Sequence, residues 1–304
     1  MRIKRQHLKN MMLPLAMLGG VAFYKWMGAL TFLSPYLIFL MLFITYCKMN
    51  LSDIKPHKIH LLLITAQMVL SGVVYLSILP WSHTVAEGVF ICVFIPTATA
   101  APVITSMLGG SISMVATYSL LSNGVVAVAG PVVLAIIGDN TSMSIGESAW
   151  LICCKVFPLL ILPLVTALIL RKISPMLHST ISKHQDLSFY LWAVSLFIIV
   201  GSCVSFTIRN WNPEETLSTI LLALGALGVC LLQFWIGRKI GGRFQDPVSG
   251  GQSLGQKNTV LAVWLAMAYM TPLASVAPAA YIAWQNIVNS WQLIHKDRYG
   301  NHMS

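Results

Sequence analysis

Two short stretches carry the residues that could do chemistry. The first is Pro96-Thr97-Ala98-Thr99-Ala100-Ala101-Pro102, and the second is Gly250-Gly251-Gln252-Ser253-Leu254-Gly255-Gln256-Lys257-Asn258-Thr259. Each interrupts an apolar run. Lys257 offers a fixed positive charge, and Ser253, Gln256, Asn258, Thr259, Thr97 and Thr99 offer hydroxyl and amide groups around it. An ammonium with neutral donors beside it is suited to holding a small anion. Gln67, with Ser71 and Tyr75 one and two turns later, adds a polar stripe on one helix face. Ser119, Ser122 and Asn123, spaced i, i+3, i+4, add another. For each stripe ordinary interhelical hydrogen bonding is the competing reading.

Other chemistries find little support. The histidines lie mostly near segment ends and form no HExxH. The six cysteines fall in apolar runs without a CxxC pair, so they read as packing residues rather than metal ligands or redox centres. Ser249-Gly250-Gly251-Gln252 has no phosphate-binding GxxxxGK[ST] to serve. No metal and no cofactor is expected.

The elements that must position these residues are membrane helices. Of 304 residues, 57% are apolar and 9% charged, and the mean hydropathy is +0.76. Soluble domains carry about 25% charged residues. The composition excludes a soluble enzyme, a disordered chain and a disulfide scaffold. The net charge of +10 comes from short basic clusters between apolar runs, which reads as a topology signal rather than a nucleic-acid surface.

Spans of about 20 apolar residues suffice to cross a ~30 Å core. Ten can be drawn, at roughly 11–24, 30–47, 59–79, 84–108, 112–137, 148–170, 187–207, 216–237, 250–271 and 273–294. The first is expected to be a retained helix rather than a cleaved signal, because no small-x-small site follows it. Of the 19 Lys and Arg, only Lys25 and Arg209 then fall outside, with Lys155 and Lys257 inside spans. The others are cytoplasmic. This predicts a multi-pass protein of the plasma or inner membrane with both termini in the cytoplasm. Glu87, Asp139, Glu147, Glu214 and Glu215 fall to the outer side in the same scheme.

The fourth and ninth spans are irregular. Pro96 and Pro102 remove backbone donors, and Gly250, Gly251 and Gly255 weaken the helix ahead of Val260–Tyr269. That last run would reach only about 18 Å, so the polar stretch must itself enter the membrane. The predicted breaks are therefore Pro96, Pro102, Gly250, Gly251 and Gly255. They occupy the fourth place in each five-helix half, 1–145 and 146–304. Broken helices at matching places point to a transporter site, and an odd number of spans per half makes the repeat inverted.

The stretch Pro96–Pro131, with its Gly109-Gly110 turn, and the stretch Lys257–Ser290, with Asn258-Thr259-x-Leu261-Ala262 and Trp284-Gln285-Asn286-Ile287-x-x-Ser290, resemble the bile acid:sodium symporter family over nearly the whole chain. The resemblance implies an all-α membrane fold of ten helices in two inverted repeats. It implies a panel domain at roughly 11–47 and 148–207, and a core domain at roughly 59–137 and 216–294. The fourth and ninth helices would cross near the midplane. It further implies sodium-coupled transport of an organic anion by alternating access.

The sodium ligands implied by the resemblance are largely replaced here. Ala101 and Pro102 stand where a Ser-Asn pair is expected. Val115 and Ser119 stand for two hydroxyls, Ser253 for an acid and Lys257 for a glutamine; Gln67 matches. Hard cations want several oxygen ligands, preferably charged, and an ammonium repels them. The expectation is a secondary carrier of a small organic anion without sodium coupling, its substrate at Lys257, Gln256, Asn258, Thr259, Ser253, Thr97, Thr99, Pro102, Gln67, Ser119 and Asn123. A mid-membrane lysine costs about 2.5–3.5 kcal/mol and implies a use. It could be a fixed cation or a proton carrier, or could snorkel to headgroups. Sodium coupling through other ligands and a membrane-embedded enzyme are the rival classes. The expected partners are the organic anion and the lipid bilayer, with no nucleic acid; the sequence does not fix the oligomeric state.

Overall fold

The computed structural model describes residues 15–48, 54–98, 101–138, 145–183, 186–209 and 213–300. The described residues are 89% helical, and no strand forms among them. Among the described residues, five helical segments are long and apolar enough to cross a membrane: Tyr24–Cys47, Lys58–Ile78, Ile112–Ile137, Ile152–Ile173 and Pro213–Gly242. Shorter apolar helices include His83–Phe94, Ala193–Ser205 and Thr259–Tyr269. The chain is an all-α membrane protein.

Contacts divide it into two compact units, 1–48 with 157–215 and 49–156 with 216–304. In the first unit, residues 15–22 are helical and lead into α1 (Tyr24–Leu30), a 3-10 turn (Thr31–Leu33) and α2 (Ser34–Lys48). The loop predicted at 25–29 between the first two spans is therefore helix. Leu30 and Thr31 keep right-handed helical backbone, so the chain does not reverse there, and Tyr24–Cys47 makes one candidate span. Small residues let this run approach the later helix Asp186–Arg209. A Cβ on Gly20 would stand 2.4 Å from Phe197 O, and Ser202 Oγ donates to Met27 O at 2.9 Å.

The second unit holds both broken spans. Its helices are α3 (Lys58–Ile78), α4 (His83–Phe94), α5 (Ala101–Leu108), α6 (Ile112–Ile137), α7 (Thr216–Gly242), α8 (Pro247–Gly255), α9 (Thr259–Tyr269) and α10 (Val276–Gly300). Its core packs α4, α7 and α10 together through Val89, Cys92, Val93, Leu222, Ala226, Cys230, Ala277 and Tyr281.

The fourth span breaks where Pro96 predicts. A residue before proline avoids the helical region, and Ile95 sits at φ −59°, ψ 149°. The ninth span breaks at Gln256–Asn258, where Gln256 is extended and Asn258 caps α9 by accepting from Leu261 N–H. Three predicted break residues are corrected. Gly250 and Gly251 lie inside α8, and Pro102 lies in the first turn of α5. The glycines serve close packing instead. A Cβ on Gly250 would come within 2.3 Å of Gly237 O, and one on Gly251 within 2.7 Å of Arg238 Cγ. Gly255 ends α8 beside the break, with the Phe234 ring 2.4 Å from its hypothetical Cβ. α8 itself starts cleanly, with Asp246 accepting from Ser249 N–H and Pro247 at the first position.

Candidate functional site

The two breaks pair with each other. Ala98 N–H donates to Gln256 O and Asn258 N–H donates to Pro96 O, both at 2.9 Å. Thr97 and Lys257 thus face one another in an isolated antiparallel bridge. Inside a membrane, backbone leaving a helix must find new partners. Here each break supplies the other's.

The side chains finish the work. α4 ends with unpaired carbonyls, as every helix does. Lys257 Nζ donates to Val93 O at 2.8 Å and to Ile95 O at 3.1 Å. Gln67 Nε2 donates to Phe94 O at 2.6 Å and to Ile95 O at 3.2 Å. The ammonium thereby sits at the negative end of the α4 dipole, where a cation is favoured. Gln67 is held by Tyr118 Oη and Ser122 Oγ, which donate to its Oε1. At the end of α8, Thr97 Oγ1 donates to Ser253 O at 2.6 Å and Tyr281 Oη to Gly255 O at 2.8 Å.

Beside the bridge lies a ladder of carboxamides. Gln285 Oε1 accepts from Lys257 N–H at 2.9 Å, and Asn289 Nδ2 donates to Gln256 Oε1 at 2.6 Å. Gln252 Nε2 donates to Asn289 Oδ1 and Gln292 Oε1. Gln252 Oε1, Gln256 Nε2 and Gln285 Nε2 are buried without a hydrogen-bond partner. An unmatched buried polar atom costs about 1–3 kcal/mol, so these three are positions where a ligand or water gains most.

Of the predicted site residues, the structure gathers Lys257, Gln256, Ser253, Thr97 and Gln67 at the crossing, and Asn258 and Thr259 begin α9 there. Pro102 opens α5. Thr99 lies outside the described residues. Asn123 Nδ2 donates to the Ser119 main-chain carbonyl within α6, and Ser122 is the member of that stripe bonded to Gln67. Lys257 is 1% exposed, which excludes the snorkelling reading. Its ammonium is turned to main-chain carbonyls.

Sequence reasoning missed two groups. Gln252 and Gln285 were quoted only as parts of longer stretches and Asn289 and Gln292 were not singled out, although Gln285, Asn289 and Gln292 were readable as one face of α10 by their i, i+4 and i+7 spacing. Glu87 was placed in an outer loop. It is instead fully buried on α4, its Oε2 accepting from Thr271 N–H at 3.1 Å and standing 3.8 Å from His83 Nδ1. His83 stands one residue before the drawn span 84–108 and Glu87 lies inside it, and their i, i+4 spacing was the available signal.

No protein-family model matches the chain, and no curated protein is significantly similar to it.

Proposed function

We propose that this protein is a secondary carrier of a small organic anion, built like the bile acid:sodium symporters its sequence resembles and working without sodium. The observation that carries this reading is the Thr97–Lys257 bridge, which joins two broken helices by their interruptions. Irregular backbone at depth is tolerated where it is enclosed by protein or lines a cavity, and paired breaks are the mark of transporter sites. α5 and α9 both begin beside the bridge, and helix N-termini favour anionic groups. The grouping of 1–48 with 157–215, and of 49–156 with 216–304, is compatible with a panel and a core drawn from both halves of the chain.

Lys257 supports the absence of sodium coupling. Its ammonium already donates to the Val93 and Ile95 carbonyls next to Gln67, supplying the positive charge that a bound cation would bring. The substrate's anionic group lies at the crossing in the field of that charge, and the free amides of Gln256 and Gln285 orient its oxygens. The basic clusters face the cytoplasm in a cell membrane. The protein moves its substrate unaltered and is not an enzyme.

The test is electrical. The protein is reconstituted in liposomes, and solid-supported-membrane currents are recorded on presenting pools of organic anions, with and without sodium, for wild type and Lys257→Gln. Currents indifferent to sodium in wild type and weakened at least tenfold in the variant are expected. A strict sodium requirement in wild type overturns the fixed-cation reading. Chemical conversion of the labelled anion, with no counterflow, overturns the carrier.

A further inference from the structure

The apolar span Ile152–Ile173 does not run out into a loop. It closes on Arg171-Lys172-Ile173, and after Ser174 a second, short helix follows at once, Pro175–Lys183. Proline explains the division. It lacks an N–H and disfavours helical backbone in the residue before it, and Ser174 is the one non-helical residue between the two helices. Ser174 still joins them: its N–H donates to Leu170 O at 2.9 Å and its carbonyl accepts from His178 N–H at 3.0 Å. No free length of chain lies between them, so the short helix begins where the apolar span stops, at the lipid–water boundary.

The short helix is two-sided. Ser174, His178, Ile181 and Ser182 are half-buried, and the helix packs on α2 of the same unit. The other side is open. Ile173 is 78% exposed, Met176 85% and Leu177 50%. Thr180, one turn after Met176, turns its hydroxyl back onto Met176 O at 2.9 Å. Among these apolar side chains stand Arg171, Lys172 and Lys183, all exposed. Residues 148–185 contain no Asp or Glu, and neither does α2.

Taken singly, the exposed apolar residues suit a lipid-facing helix and the basic residues suit a topology signal. Their mixture on one surface asks for more. Water alone would penalise Ile173 and Met176, and hydrocarbon alone would penalise three cations. The membrane boundary satisfies both, because apolar side chains enter the acyl region while long basic ones hold their charge at headgroup depth. Three cations with no acid on either packed element also call for negative charge in the layer they meet.

We propose that Arg171–Lys183 is an interfacial binding site for anionic phospholipid. Ile173, Met176 and Leu177 contact the acyl chains, and Arg171, Lys172 and Lys183 hold headgroup phosphates. The Arg171 guanidinium can fork two phosphate oxygens, whereas the lysines act as point charges. A zwitterionic headgroup leaves the three cations without net compensation, so the site distinguishes lipids by charge. The binding needs only the membrane fold, and stands whether or not the protein carries an anion.

Hydrogen–deuterium exchange of the full-length protein in nanodiscs tests the site. One set of discs is phosphatidylcholine, and the other adds about 30 mol% phosphatidylglycerol. Amides of residues 174–183 are expected to exchange at least about fivefold more slowly beside phosphatidylglycerol, the factor one basic residue gains near an anionic surface. About 0.5 M salt should erase the difference by screening. The triple variant Arg171→Gln, Lys172→Gln, Lys183→Gln should erase it too, and Met176→Ser with Leu177→Ser should speed exchange in both lipids. Equal exchange of wild type in the two discs overturns the proposal, as does a difference that survives the triple variant. Slowing by inorganic phosphate in phosphatidylcholine discs would mark a soluble-anion site, and slowing that needs two copies in one disc would mark a protein partner; either overturns the lipid site. Should the triple variant fail to fold, the salt dependence of wild type decides alone.

Discussion

Lys257 and Gln67 donate to the same oxygen. The Ile95 carbonyl receives Lys257 Nζ at 3.1 Å and Gln67 Nε2 at 3.2 Å, and each donor also takes a second carbonyl of the α4 terminus. The broken end of α4 is closed by side chains from two other places in the chain.

This sharing predicts coupling. Lys257→Met should destabilise the protein by about 1–3 kcal/mol, because it strands Val93 O and weakens the set at Ile95 O. Gln67→Leu should cost a similar amount. The double variant should depart from the sum by about 0.5–3 kcal/mol, since the two residues share a partner. Thermal unfolding of the purified protein in one detergent measures all three. Strict additivity would contradict the shared-acceptor geometry.

The hydroxyl network behind Gln67 predicts a graded series. Tyr118→Phe removes one donor to Gln67 Oε1 and leaves Ser122 at 3.1 Å. It should cost about 1 kcal/mol, as one hydrogen bond does. Ser122→Ala should cost less, and the pair together more than either. A Tyr118→Phe protein with unchanged unfolding temperature would show that Gln67 is held by other means.

The glycine contacts predict opposite signs at neighbouring positions. A Cβ on Gly237 would stand 2.3 Å from Gly250 O, which is backbone and cannot yield, so Gly237→Ala should destabilise by more than about 1 kcal/mol. Gly228 lies on the same helix with nothing within 4 Å. Gly228→Ala should be neutral or stabilising by up to about 1 kcal/mol, because alanine loses less conformational freedom. Parallel melting curves separate the two.

The bridge predicts that caps matter more than polarity at the breaks. Asn258→Ala loses the acceptor for Leu261 N–H and should cost about 0.5–2 kcal/mol, while Asn258→Asp keeps it. Thr97→Val strands Ser253 O, and Thr97→Ser restores the bond. Unfolding temperatures that fail to follow this alanine–aspartate and valine–serine ordering would overturn the capping assignment.

Local chemistry was legible in the sequence because it acts over one or two residues. Low charge and high hydropathy declared the membrane. Pro96 forced Ile95 out of the helix, and Asn258 ahead of an apolar run marked where α9 begins. Composition also flagged Gln256 and Lys257 as out of place in lipid. What each of these residues touches was not legible. Lys257 could have faced a substrate, a headgroup or solvent, and it faces two carbonyls 164 and 162 residues away in sequence.

The remaining differences have the same origin. Gly250 and Gly251 look like helix breakers by propensity, yet the cost of a glycine in a helix is offset when it lets α7 and α8 touch backbone to backbone. Residues 25–29 look like a loop because Lys25 is charged, yet they lie in the helix Tyr24–Leu30, whose Met27 packs on Gly201 and accepts from Ser202 Oγ. Glu87 looks like a surface acid, yet Thr271 N–H and His83 receive it in the interior. The sequence alone determined that the chain forms apolar helices suited to a membrane and that one of them ends ahead of Pro96, because dihedral restriction and hydropathy are properties of short segments. The tertiary structure decided that the breaks pair, that Lys257 serves backbone oxygens and that Glu87 is enclosed, because an unmatched polar group in the membrane core takes whatever partner the fold brings within reach.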